Sequence, residues 1–403
     1  MPEKNDRPDR PDRPDRAPVY LDHAATTPML PEALAAFTAA LGTVGNPSSI
    51  HSAGQRAKML LEDGRAAVAR SLDAEPVEVV FTSGGTESIN LAVKGMYWAR
   101  QQDRPRPRIV VPAGEHHATV DTVEWLERHE GAVVDVVPLD AQGRVDLAGL
   151  EARLAAADDV ALVTFLWANN EVGTLQPVDR IVALAHAAGV PVHSDAVAAY
   201  GQVPVSFRAS GLDALSVSAH KVGGPVGIGA LVLGRGSTVE PLIHGGGQQR
   251  QVRSGTQDAP SAAAFGVAAG TPHADVTALR DRLVAGVVAA VPSAVLMGDP
   301  VDRLPGNAHF TFPGCEGDSL LFLLDAAGVA VSTGSACQAG VPEASHVLLA
   351  MGLDEQDARG ALRITLGHTS TEADVDAFLA ALPDAVARAG AAGMASRAPL
   401  LGR

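Results

Sequence analysis

The chain has 403 residues, 46 % of them hydrophobic, and a formal net charge of −15 from 31 Lys+Arg against 46 Asp+Glu. That length argues for two domains, and that apolar content excludes global disorder. An acidic surface repels polyphosphate, and only 4 % of residues are aromatic, so direct nucleic-acid binding is excluded as a reading.

Residues 1–18 carry an RPD repeat with five basic and five acidic residues between Glu3 and Arg16 and no apolar ones. Such a segment buries nothing and is predicted to be disordered. Helical patterns follow at 31–41, with Pro31 suited to a first turn, and at 51–71. Short β-rich runs then alternate with helices. VEVVFT (77–82) precedes 86–100, RIVVP (108–112) precedes 117–130, AVVDVVPL (132–139) precedes 146–157, and VALVTFL (160–166) precedes 178–188. VPVHSD (190–195) and ALSVSAH (214–220) complete the series. Their unbroken apolar character fits a parallel sheet buried on both faces. The rhythm predicts an α/β large domain over 30–265. Past 265 come a helix (276–292), a strand (307–312), a helix (318–328), a strand (361–366) and a final helix near 371–387. These read as a smaller α+β domain that takes 19–29 and 266–403.

There are two cysteines, Cys315 and Cys337, which make no disulfide framework, and no zinc-ligand spacing is present. The N-terminal stretch has no apolar core of a secretory signal. The most apolar run, 283–297, holds Pro292 and is too short to span a bilayer. The expectation is a cytoplasmic protein with reduced thiols and no membrane or metal partner.

Ligands in α/β sheets gather beyond the carboxyl ends of strands. Five such places carry polar residues. Ser83-Gly84-Gly85-Thr86 joins a strand to a helix; it is either an anion cradle at a helix N-terminus or a plain tight turn capped by Ser83 or Thr86. Asp195 ends an apolar strand, where it either caps the next helix or faces a cationic ring nitrogen. Lys221 is one of only four lysines and precedes Gly223, Gly224, Gly227 and Gly229. A lysine kept from water has a lowered pKa and can form a Schiff base; the other reading is a surface lysine in a loop. Cys337 sits in a Gly-flanked loop, where an exposed thiol reacts. Arg363, inside the strand ALRITL, needs an anion: either a substrate carboxylate or an internal salt bridge. A lysine, a carboxylate and a phosphate cradle jointly suit pyridoxal phosphate. His116 (in GEHHATV) is placed to stack on its ring, and Asn170 (in WANNEVG) to donate to cofactor or substrate.

These motifs resemble the NifS/IscS-like cysteine desulfurases of the class-V aminotransferase-like group. The similarity runs through YLDHAATTP (20–28), GNPSSIHSAG (45–54), FTSGGTESINLAVKG (81–95), NNEVG (169–173), HSDA (193–196), SAHK (218–221), GGGQQRQVRSGT (245–256), STGSAC (332–337) and LRITLG (362–367). It covers about 20–385, and the segment before SHVL (345–348) is similar to the IscS type rather than the SufS type.

The resemblance implies a fold-type I, pyridoxal-phosphate-dependent homodimer with a mostly parallel sheet in the large domain. It implies Lys221 as the Schiff-base lysine, Asp195 as the ring-nitrogen partner and His116 as the stacking residue. Gly85, Thr86, Ser218 and His220 would hold the phosphate, with Thr256 reaching it from the other subunit. Asn170 and Arg363 would contact cofactor and substrate. The implied reaction takes sulfur from L-cysteine, leaving L-alanine and a persulfide on Cys337 for an acceptor such as an iron–sulfur scaffold or a tRNA-thiolation enzyme. A selenocysteine lyase, another class-V enzyme or a non-catalytic sulfur relay are the competing readings. Three positions depart from the family pattern: Ala198 stands where a glutamine usually bonds the cofactor's phenolic oxygen, Ala219 replaces a glycine, and Val226 a lysine or serine.

Overall fold

The computed structural model describes residues 18–334 and 344–395. The RPD repeat and Cys337 lie outside the described residues. In chain order, β1 (Val19–Tyr20), α1 (Pro31–Leu41) and α2 (Ser52–Ser71) lead into β2 (Val79–Thr82), α3 (Gly85–Arg100), β3 (Arg108–Pro112), α4 (His117–Glu130), β4 (Val133–Val137) and α5 (Leu147–Leu154). Next come β5 (Val160–Leu166), α6 (Val178–Ala187), β6 (Val192–Asp195), α7 (Phe207–Ser210), β7 (Ala214–Ser218), β8 (Gly229–Leu233) and α8 (Ala259–Gly270). The remainder is α9 (Thr277–Ala290), β9 (Val295–Met297), β10 (Asn307–Thr311), α10 (Gly317–Ala326), β11 (Val329–Ala330), α11 (His346–Ala350), α12 (Glu355–Arg359), β12 (Ala361–Thr365) and α13 (Glu372–Ala395).

Strands β2 to β8 form one seven-stranded sheet in the order β2-β8-β7-β6-β5-β3-β4. The pairs from β7 through β4 are parallel, and β8 runs antiparallel to both β7 and β2. Alternate residues of the same strands feed two cores. Phe81, Val163, Phe165 and Val217 pack on one face with α1, α2, α6 and α8; Val80, Ile109, Leu162 and Leu231 pack on the other with α3 and α4. This two-sided burial is why β5 (VALVTFL) is buried at every position. Local signals set the helix ends. His116 caps α4 through Nδ1, which accepts from Ala118 N–H, and Gly131 ends that helix at φ 71°, a left-handed value natural to glycine. Asp258 caps α8. Gly64 lets α2 meet α8 closely, since a Cβ there would lie 2.2 Å from the Ala262 carbonyl oxygen.

A smaller body follows. Its antiparallel sheet β12-β10-β9 packs with α9, α10 and α13 around Phe310, Phe312, Leu320 and Phe378. Strand β1 pairs with β11, so Val19 and Leu21 join this second core, whereas Met29 and Leu30 pack on the first. Cys315 is buried in the second core, with its Sγ 3.6 Å from the Val386 carbonyl oxygen, and burial raises its thiol pKa.

Two sequence expectations shift. The glycine-rich stretch after Lys221 contains β8, because its Gly229 lies where a Cβ would clash with the Val217 and Gly84 backbones. The boundary at 265 falls inside α8, whose Phe265, Ala268 and Ala269 all belong to the first core.

Candidate active site

A cavity of about 370 Å³ opens where the carboxyl ends of β5, β6 and β7 meet the smaller body. It is lined by Gly85, Thr86, His116, Asn170, Asp195, Ser218, His220 and Lys221 from the first body and by Ser332, Gly334 and Arg363 from the second. Nine of the eleven residues singled out in the sequence therefore converge. A larger surface cleft of about 880 Å³ beside α5 contains none of these groups; its Arg144 is tied to Asp299 and Asp302.

Lys221 closes a 3-10 turn, Ala219–Lys221, that follows β7 directly. Its Nζ donates to the carbonyls of Ala24 and Ala25, the latter at 3.0 Å. Burial, then the charge of Arg363, lowers its pKa to about 8, against the opposing pull of Asp195 and Asp22. Asp195 is the last residue of β6 and is buried. Burial raises its pKa to about 6, while the Val197 N–H, 2.9 Å from Oδ1, and Lys221 favour the ionised form. A half-buried amine and a buried acid, each shifted toward neutrality, thus face one cavity.

His116 spends its Nδ1 lone pair on the Ala118 N–H at 3.0 Å. Burial and the charge of Lys221 lower its pKa to about 4, so near pH 7 the ring is neutral and carries its proton on Nε2. Gly85 and Thr86 open α3, where N–H groups lack intrahelical partners. A Cβ on Gly85 would sit 2.8 Å from Val197 Cγ2, so glycine keeps that wall open. The Ser218 hydroxyl is buried without a hydrogen-bond partner among the described residues. His220 Nδ1 lies 3.2 Å from Thr26 Oγ1, and burial lowers its pKa to about 4.

On the far wall, Arg363 Nη1 donates to the Asn170 carbonyl at 2.8 Å and Nη2 pairs with Asp22 at 3.1 Å. The internal salt bridge offered by the sequence is present, and the same guanidinium lines the cavity. Ala198 adds only a methyl group to the wall, and Ala219 is fully buried. Thr256 is exposed and does not line this cavity. Cys337 lies outside the described residues, so the geometry does not bear on it.

Three residues near the cavity went unread in the sequence. Glu115 is buried beside His116; its Oε1 accepts from Leu166 N–H at 2.9 Å, its Oε2 has no partner among the described residues, and burial raises its pKa strongly. Glu171 accepts from Ser345 Oγ at 2.5 Å, tying NNEVG to the start of α11. Asp22 is the partner of Arg363. All three stand inside or beside motifs already noted (GEHHATV, NNEVG, YLDHAATTP), and that adjacency was the available signal.

The sequence matches the family Aminotransferase class-V over residues 19–378. The chain belongs to the NifS/IscS-like cysteine desulfurases of the class-V aminotransferase family. It is 55 % identical to an IscS-like cysteine desulfurase of Mycobacterium tuberculosis, across 94 % of this chain and 98 % of that protein. It is 40 % identical to cysteine desulfurase NifS of Azotobacter vinelandii, across 92 % and 93 %. A solved NifS-like protein superposes with a TM-score of 0.84 at 34 % identity, covering 92 % of this chain and all of that one. A NifS-like protein from Rickettsia africae gives 0.82 at 32 % identity, covering 91 % and 99 %. The class-V membership accords with the mostly parallel sheet and with the cavity at its strand ends. No described helix is long and apolar enough to cross a membrane, and no group of three metal-ligating side chains occurs among the described residues.

Proposed function

We propose that this protein is a pyridoxal-phosphate-dependent cysteine desulfurase that moves the sulfur of L-cysteine to Cys337 and releases L-alanine. The observation that carries this reading is the pairing of Lys221 with Asp195 across one buried cavity, each with its pKa moved toward neutrality.

The residues present fit the cofactor. An orphaned, buried Ser218 hydroxyl and the crowded Gly85 wall beside the start of α3 suit a phosphate. His220 and Thr86 line the same end, and Thr256 of a second copy of this chain would complete it in a homodimer. Lys221 would join the aldehyde, Asp195 would hold a proton on the ring nitrogen, and the neutral His116 would lie against the ring. When bound, the cofactor supplies an aldehyde for the substrate amine and a ring that withdraws electrons from the α-carbon.

The chain's own groups then act in turn. Arg363, steadied by Asn170, grips the substrate carboxylate. Lys221, freed as an amine, takes the α-proton. The Cys337 thiolate attacks the substrate sulfur, so that the carbon–sulfur bond breaks as a sulfur–sulfur bond forms. The carbon fragment is protonated and leaves as alanine, and the persulfide on Cys337 passes to an acceptor protein such as an iron–sulfur scaffold or a tRNA-thiolation enzyme. The test is a turnover assay with L-cysteine and a thiol reductant. Wild type should be yellow when loaded and should yield alanine and sulfide in equal amounts; Cys337→Ser should keep the colour and lose sulfide release. Sulfide formation at the wild-type rate by Cys337→Ser would remove that thiol from the mechanism.

A further inference from the structure

The residue before His116 is an acid in a place that provides poorly for a carboxylate. Glu115 lies in the turn between β3 and α4 and is buried. Its Oε1 accepts from the Leu166 N–H at 2.9 Å, and its Oε2 has no hydrogen-bond partner among the described residues. No cation among those residues pairs with either oxygen.

The backbone of this turn is tied on three sides. The Ala113 N–H donates to the Val137 carbonyl at 3.0 Å, the Gly114 carbonyl accepts from Asn169 Nδ2 at 3.0 Å, and the Glu115 carbonyl accepts from His346 Nε2 at 2.8 Å. The side chain adds an acceptor at the end of β5. The N–H groups of Val163 and Trp167 point to β6, where they meet the Pro191 and Asp195 carbonyls. Leu166 is one residue out of step and turns its N–H the other way, toward β3. Pairing between β3 and β5 stops at Val110–Val163, and Glu115 Oε1 stands in for the missing strand. Leu166 itself lies opposite Asp195 in the β5–β6 register. One carboxyl group thus joins the turn that presents His116 to the strand end beside Asp195.

A buried carboxylate with one hydrogen bond and no counter-ion is far costlier than the neutral acid, and a second negative charge nearby adds to the cost. We propose that Glu115 is a positioning residue held as a neutral carboxylic acid, which fixes the His116 turn on the end of β5 while sparing Asp195 a competing negative charge. Burial pushes the Glu115 pKa well up, the Leu166 N–H opposes the rise, and the charge of Asp195 adds to it. The positioning role rests on the cofactor reading above; the protonation state does not.

Two measurements test it. The first is the infrared spectrum of the full, unliganded chain at about pH 8, where ordinary carboxyl groups are ionised. Wild type should show a protonated-carboxyl band that Glu115→Gln lacks. Identical spectra in that region would refute the neutral acid. The second is the absorbance titration of apo protein with pyridoxal phosphate. Glu115→Gln keeps an uncharged acceptor for the Leu166 N–H and should bind within about twofold of wild type. Glu115→Leu strands that N–H and should bind about tenfold more weakly. A merely structural role predicts a lower Tm for the leucine variant with unchanged affinity. If Glu115→Leu fails to fold, Glu115→Gln still decides, because a tenfold loss in that variant would mean that the charge is required. A wild type that takes up no pyridoxal phosphate overturns the cofactor reading and the positioning role with it, and the infrared band separately decides the protonation state.

Discussion

The sheet wall of the cavity and the wall facing it hold their polar groups in opposite ways. Asp195 and Ser218 end strands and Lys221 closes the turn that follows one, where the backbone leaves them little choice of place, and the Ser218 hydroxyl has no partner among the described residues. Across the gap, Arg363 is already engaged: Asp22 and the Asn170 carbonyl take both of its terminal nitrogens. The first wall holds its groups fixed in space with one hydroxyl, that of Ser218, left open; the second is a paired cation that must share or exchange a partner to receive an anion. Under the proposed function, cofactor capture falls to the sheet and substrate discrimination to the smaller body.

The largest effect should come from the sheet wall. Lys221→Ala should lower turnover of L-cysteine by about 10²–10⁴-fold or more, as loss of a proton-transferring group does, and should abolish the yellow colour on loading. Full colour in that variant would break the comparison at its root. Next comes the facing wall. Arg363→Lys should raise KM for L-cysteine about tenfold with a smaller change in kcat, because an ammonium cannot reproduce the fork of a guanidinium. If Arg363 serves only its salt bridge with Asp22, that substitution will instead lower Tm and leave KM alone.

The acid–base balance of the sheet wall supplies a subtler test. With the Lys221 pKa lowered to about 8, the free-amine fraction grows about fivefold between pH 7 and pH 8 and saturates above about pH 9. The rate of pyridoxal phosphate uptake, followed by stopped-flow absorbance, should trace that curve. An ordinary lysine would give a steady rise to beyond pH 10. The sign for stability runs the same way. The folded value lies below the unfolded one, so the half-buried ammonium costs stability that is recovered as pH climbs from about 8 toward 10.5. The smallest effect concerns Ala198→Gln. A donor placed on that bare stretch of wall should tighten cofactor binding by about threefold to tenfold, measured by the same titration; unchanged affinity would mean that the cofactor does not approach this position.

Much of this was legible in the chain because each feature is local. Scarcity of lysine singled out Lys221, apolar runs gave the strands that end at Asp195 and Ser218, and Pro31 marked a helix start that the structure reproduces. What stayed hidden depends on distance or on disguise. Asp22 and Arg363 are 341 residues apart, and Ser345 meets Glu171 across 174; periodicity carries no sign of either pair. Strand β8 was masked by its own glycines. Thr164, His193 and Ser216 each look unremarkable in a strand and meet only once three strands align.

The burial of Cys315 has a practical corollary. The sequence holds only two thiols, and this one is sealed among the packed side chains of the smaller body with its ionisation suppressed. Alkylating reagents applied to the folded protein should therefore leave Cys315 unlabelled. Any label taken up before unfolding then reports on position 337 without an engineered background, and labelling of Cys315 on heating becomes a direct gauge of when the smaller body opens.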